Sequence, residues 1–229
     1  MNAKFPTLNI ELGTRNIELG TRNRSRMRAL VAGFEPFGGE SVNASLEAVR
    51  ALPPRVGPLD VRTARLPTSY ARALGALEAA IDDSVPQIVL CVGEAGDRAA
   101  LCVERVAVNL QDARISDNDG AQPEDVPVIA GGPAAYLATL PVRAAVAALR
   151  AAELPAEVSM SAGTFVCNHV FYGLMDLAAL RGQPFIAGFV HVPRLPQQRD
   201  NAKAMALEDI VRGLTIVLEA SAQHVQASR

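Results

Sequence analysis

The sequence predicts a single α/β domain, a three-layer α/β/α sandwich around a twisted, mostly parallel sheet. Three observations point there. Short apolar runs, such as Arg28–Gly33 and Gln87–Val92, alternate with segments of helical periodicity. Glycine- and proline-rich stretches follow the apolar runs, as loops follow strands in α/β folds. The chain has 229 residues, 49% of them apolar, which is enough for one sizeable core.

In order, Arg28–Gly33 reads as a buried strand, and the Pro36, Gly38 and Gly39 that follow force a loop. Asn43 is suited to cap a helix over Ala44–Leu52, which Pro53 and Pro54 end. Asp60–Leu66 alternates as a strand, and Thr68 or Ser69 can cap an alanine-rich helix reaching Ile81. Gln87–Val92 is a central strand running into a loop at Gly93–Gly96. Ala99–Asn109 fits short extended pieces, and residues 111–133, rich in Asp, Gly and Pro, form a long ordered loop or lid. Pro141 opens a helix to Ala152. Glu157–Met160 ends a short strand, and a further helix follows Ser161–Cys167. Phe185–His191 is a strand, and the last helix spans about Asn201–Ala222 with Ile210, Leu214, Val217 and Leu218 inward. In an open parallel sheet the site lies beyond the C-terminal strand ends. The loops at Gly33–Gly39, Gly93–Gly96, Ser161–Cys167 and His191–Pro193 are all expected at that edge.

Residues 1–26 stand apart. Asn9–Arg15 reads NIELGTR, and Asn16–Arg22 repeats it letter for letter. This lead is expected to be a disordered extension, with Met27 the natural start of the domain over 27–229. A real amphipathic extension is the alternative.

Composition excludes several functions. The formal net charge is −2 with no basic block, so nucleic acid and anionic membrane are poor partners. No run approaches the ~20 apolar residues of a membrane helix. Three cysteines, Cys91, Cys102 and Cys167, without paired spacing suit a reducing cytoplasm. Three histidines and no metal-ligand spacing argue against a metal site, and no phosphate-binding glycine motif occurs. No cofactor is expected.

Cys167 falls where a tight turn feeds the first turn of a helix. Unpaired N–H groups there favour a thiolate, so Cys167 is a candidate nucleophile; a small buried packing residue is the alternative. Such a nucleophile needs a base. His169 is two residues further along the same helix and faces away. His224 lies near the C-terminus. His191 ends a strand at the predicted edge and can face Cys167, although a half-buried loop histidine would look the same. Glu104, between Val103 and Val106 in an apolar run, is the choice for the group that orients the imidazole. Its alternative is a solvated carboxylate paired with Arg105.

Four motifs then combine: GFEPFGG (Gly33–Gly39) with Asn43, ERVAVN (Glu104–Asn109), SAGTFVCNHVFY (Ser161–Tyr172) and GFVHVP (Gly188–Pro193). Together they make residues 27–218 resemble the pyroglutamyl peptidase I family of cysteine peptidases. The resemblance implies a cytoplasmic, metal-free omega peptidase that removes N-terminal pyroglutamate from peptides, and a homotetramer. It implies Cys167 as nucleophile, His191 as base and Glu104 as orienting acid. It places Phe34, Phe37, Phe165 and Val166 at the lactam pocket, and Asn43 and Glu94 are counted with the substrate-binding residues. An uncharged flat ring suits an aromatic pocket, where a free ammonium would be desolvated without a partner. The sequence departs from the pattern at Ala44, where proline commonly stands, and at Asp97, where glycine is frequent. Glu94 and Asp97 bring carboxylates toward the cleft. A related amidase or acyl-transfer enzyme, or an idle binding homologue, are the competing readings.

Overall fold

A computed structural model describes residues 26–182, 185–198 and 203–228. The elements run β1 (Met27–Phe34), α1 (Ala44–Ala51), β2 (Arg55–Val56), β3 (Leu59–Leu66), α2 (Ala73–Ser84), β4 (Ile88–Glu94), β5 (Leu101–Glu104), β6 (Val106–Val108), β7 (Ala135–Leu137), α3 (Val142–Ala151), β8 (Ala156–Ser159), α4 (Val166–Leu180), β9 (Ile186–Val192) and α5 (Leu207–Ala227). Seven strands form one sheet in the order β2-β3-β1-β4-β9-β5-β8, and β6 pairs with β7 in a separate ribbon.

The central strands are apolar on both sides because both sides are covered. On one face α1, α3 and α5 pack over Ala29, Val31, Leu90, Val92 and Val190. On the other, α2 and α4 pack over Leu30, Ala32, Cys91, Ala187 and Phe189. Consecutive strand residues alternate between these two cores. That alternation puts Gly93, Cys102, Glu104 and His191 all on the α4 side.

Strands β3, β1, β4 and β9 are mutually parallel. β5 pairs antiparallel with β9, and β8 runs with β5. The expectation of four loops at one common C-terminal edge therefore needs correction. Only the loops after β1, β4 and β9 leave that edge; the Ser161–Cys167 loop follows a strand running the other way.

Asn43 caps α1, accepting the Ser45 N–H at 3.0 Å. The predicted caps of α2 are not used: that helix starts at Ala73 with no side-chain cap. Ser69 instead closes the turn before it, its hydroxyl accepting the Arg72 N–H at 3.2 Å. α5 begins at Leu207, later than predicted; residues 199–202 lie outside the described residues, as do residues 1–25 with their repeat. Between Val108 and Ala135 the chain has no helix or strand, only a bridge from Gln111 to Val126. Among the described residues no helix is long and apolar enough to cross a membrane.

Candidate active site

Cys167 is the second residue of α4. The loop that delivers it turns at Gly163, whose φ of 74° favours glycine. Phe165 then opens the helix with extended backbone and no side-chain cap. The sulfur rests directly on the sheet. A Cβ on Gly93 would lie 2.8 Å from Cys167 Sγ and 2.8 Å from Phe189 Cζ. Gly93 is therefore the gap that admits the thiol, a close approach of the kind that puts glycine inside a strand.

Gly93 stands opposite His191 in the β4–β9 register. On its other side His191 stands opposite Cys102, and Glu104 is two residues along on the same face. This diagonal places His191 Nδ1 2.8 Å from Glu104 Oε1. Glu104 is fully buried and His191 nearly so. An ionised carboxylate only accepts, so Nδ1 carries the proton and Nε2 is the nitrogen left for the cavity. The Phe189 ring, 4.8 Å from the imidazole, packs against it.

Cys167 and His191 line one cavity of about 650 Å³. Phe37 and Phe165 form its aromatic wall, their ring centres 5.8 Å apart. Asp112, Arg114 and Ile115, from the long loop, form another wall. Tyr70 supports Phe165 edge-on at 5.8 Å and donates to the Thr164 carbonyl at 3.3 Å. Among the described residues no group of three or more His, Cys, Asp or Glu side chains is arranged to hold a metal.

A family model described as pyroglutamyl peptidase matches residues 27–224. The chain belongs to the pyroglutamyl peptidase family. The pyrrolidone-carboxylate peptidase of Gloeobacter violaceus is 52% identical over 197 residues, which cover 84% of this chain and 96% of that protein. Pyrrolidone-carboxylate peptidase 1 of Ralstonia nicotianae is 48% identical, covering 83% and 90%. The crystal structure of Bacillus amyloliquefaciens pyroglutamyl peptidase I superposes with a TM-score of 0.85 at 42% identity, over 87% of this chain and 98% of that one. The Thermococcus litoralis pyrrolidone carboxyl peptidase gives 0.85 at 37% identity, over 89% and 96%.

In this pyroglutamyl peptidase family member the predicted site residues divide into three groups. Cys167, His191, Phe37, Phe165 and Glu94 meet at the cavity, with Glu104 directly behind His191. Phe34 lies off the cavity, its ring 6.2 Å from Phe189, and Val166 is wholly buried under the sheet. Asn43 is likewise buried at the start of α1, donating to the Glu35 carbonyl at 3.2 Å. Glu94 is no loose charge. It accepts the Ala44 N–H at 2.7 Å and the Gln198 amide at 2.9 Å, with Arg194 Nε 3.5 Å from its other oxygen. It thus ties α1 to the loop after β9.

The expected thiolate bias at Cys167 is reversed. Burial, then the charges of Glu104 and Glu94, push the thiol up to about 12, and the backbone amide at the helix start offsets this only partly. A thiol raised in this way gives up its proton during attack. His169 is buried against Tyr70, and burial pushes it down to about 4, leaving it neutral.

Gly93 and Arg98 are among the site residues that the sequence reading does not single out, as are Asp112, Arg114, Ile115 and Tyr70. Gly93 was assigned to a loop, although a glycine ending an apolar strand run is itself a signal of close approach. Arg98 reaches Glu104 only through the fold, and no spacing announces it.

Proposed function

We propose that this chain is a cysteine omega peptidase that cleaves the bond after an N-terminal pyroglutamate, with Cys167 as nucleophile, His191 as base and Glu104 as orienting acid. The observation that carries the reading is the 2.8 Å contact between His191 Nδ1 and Glu104 Oε1, with Cys167 Sγ seated over Gly93, the residue paired with His191. In the first step the Cys167 S–H proton passes to His191 Nε2 as sulfur bonds to the pyroglutamyl carbonyl carbon. The oxyanion accepts hydrogen bonds from N–H groups in the first turn of α4. The C–N bond then breaks, and the imidazolium gives its proton to the departing amine. Water, losing a proton to His191, hydrolyses the thioester and releases pyroglutamate and the thiol. The lactam ring is held at Phe37 and Phe165. Its substrates are peptides blocked by pyroglutamate, and nucleic acid and membrane are not partners. A homotetramer in the cytoplasm belongs to the same reading.

A chromogenic pyroglutamyl amide tests this. Wild type turns it over, and Cys167→Ser lowers kcat by at least about a thousandfold. Unchanged turnover in Cys167→Ser would remove Cys167 from the mechanism.

A further inference from the structure

Glu104 Oε1 is approached from two sides. His191 Nδ1 lies at 2.8 Å, and Arg98 Nη1 donates at 3.3 Å. The other oxygen, Oε2, is buried with no hydrogen bond. Arg98 sits in the turn after β4, its own N–H donating to the Ala95 carbonyl at 3.1 Å. From there its guanidinium joins three parts of the site. Nη1 also donates to Ser159 Oγ at 2.9 Å, at the end of β8. Nη2 donates to the Ser161 carbonyl at 2.8 Å, where the loop carrying Cys167 begins.

A carboxylate buried against a neutral imidazole has no countercharge, and that is a costly arrangement. The planar fork of arginine supplies charge and direction together, which a lysine does not. We propose that Arg98 is a positioning residue for the catalytic pair: it neutralises buried Glu104, holds the His191 tautomer that leaves Nε2 open, and pins the Cys167 loop to the same point. Without that charge the buried carboxylate is left uncompensated, and a carboxyl that donated to Nδ1 would put the imidazole proton on Nε2, where it blocks the base.

The inference rests on the catalytic assignment above. The charged and titratable groups around the pair include Cys167 from α4, Glu94 from β4 with Arg194 Nε 3.5 Å from it, and Cys102 from β5, whose thiol contacts Glu157 Oε1 of β8 at 3.2 Å and Arg98 itself. Asp97 faces Arg98 itself. Arg194 is the cation among them, and its carboxylate contact is with Glu94.

The test compares Arg98→Met with Arg98→Lys by two readouts: the pH profile of kcat/KM, and the pH dependence of Cys167 alkylation by iodoacetamide, followed by mass spectrometry of the Cys167 peptide. Arg98→Met is expected to lower kcat about 10- to 100-fold. Its acid limb should move to higher pH by about one unit, and its alkylation midpoint should depart from the wild-type value because the charges around Cys167 change. Arg98→Lys keeps the charge and holds both midpoints near wild type while turnover falls. A purely structural role lowers the melting temperature without moving either midpoint. The proposal is overturned if Arg98→Met keeps the wild-type midpoints, or if both variants shift them equally. Alkylation needs no substrate, so it still reports on Arg98 if the Cys167→Ser experiment sinks the peptidase reading.

Discussion

Gly93 decides whether Cys167 can sit where it does. A methyl group at that position would lie 2.8 Å from the sulfur and 2.9 Å from Phe189 Cε1, closer than real Cβ contacts come. Phe189 is wholly buried and wedged between the Phe34, Phe171 and His191 rings, so the sulfur is the part able to yield. Gly93→Ala is therefore expected to cost about 1–3 kcal/mol of stability. It should cost at least about a hundredfold in kcat/KM, since small displacements of a nucleophile are that expensive. Steady-state kinetics beside a thermal melt and far-ultraviolet circular dichroism would check it; wild-type kcat/KM would refute the seating. At this scale the sequence was most readable where a residue type is chemically conspicuous. A cysteine at a helix start, a histidine ending a strand and a carboxylate in an apolar run each stand out alone. The shift of the Cys167 thiol was read with the wrong sign, because its burial and the two nearby carboxylates are products of folding.

At the scale of elements, α4 carries two imidazole-sized decisions on one helix. Cys167 faces the sheet, while His169 points to Tyr70, with ring centres 5.3 Å apart. Both ring nitrogens of His169 are buried, and a backbone contact with Tyr70 offsets that burial only in part. Its folded value of about 4 lies below the ordinary 6.5, so between those pH values the unfolded chain binds more protons. Stability must then rise with pH across that window and be lost as pH falls from 6.5 toward 4, by on the order of 3 kcal/mol in full. His169→Leu should flatten that dependence: the fall in melting temperature between pH 7 and pH 5 shrinks relative to wild type. An equally steep fall in the variant would mean that His169 is not held neutral by burial. The helix itself was legible from its apolar spacing, as were β1, β3, β4 and β9 from their runs. β2 and β7, of two and three residues, carry too little pattern to read. The reversed direction of β5 and β8 was not legible either. Hydrophobic alternation reports which face a residue takes and is blind to which way the strand runs.

For the whole molecule, the decisive feature is that one cavity wall comes from a segment without regular structure. Residues 109–134 are nevertheless fastened at many points. Gln111 and Val126 exchange backbone hydrogen bonds at 2.7 and 3.1 Å, and the Asn109 side chain both donates to and accepts from Ile129. Tyr172 of α4 donates to the Pro133 carbonyl at 2.7 Å. The tightest knot is Asp117, which is buried and accepts the N–H groups of Tyr70, Asp119 and Ala121 at 2.8, 2.9 and 2.8 Å. Next to it Asn118 donates to Glu35 and to the Pro36 carbonyl, so the loop is bound to the segment that presents Phe37. Asp117→Ala strips acceptors from three amides at once, at a cost of about 2–4 kcal/mol. The loss falls on Arg114 and Ile115 at the cavity wall, which take no part in the His191–Glu104 contact. KM should therefore rise several-fold while kcat stays within about threefold of wild type. Limited proteolysis should open new cleavage sites between residues 112 and 132 in the variant alone. A wild-type digestion pattern with wild-type KM would show that Asp117 does not hold this wall, and a collapse of kcat with KM unchanged would place the loop in the chemistry rather than in binding.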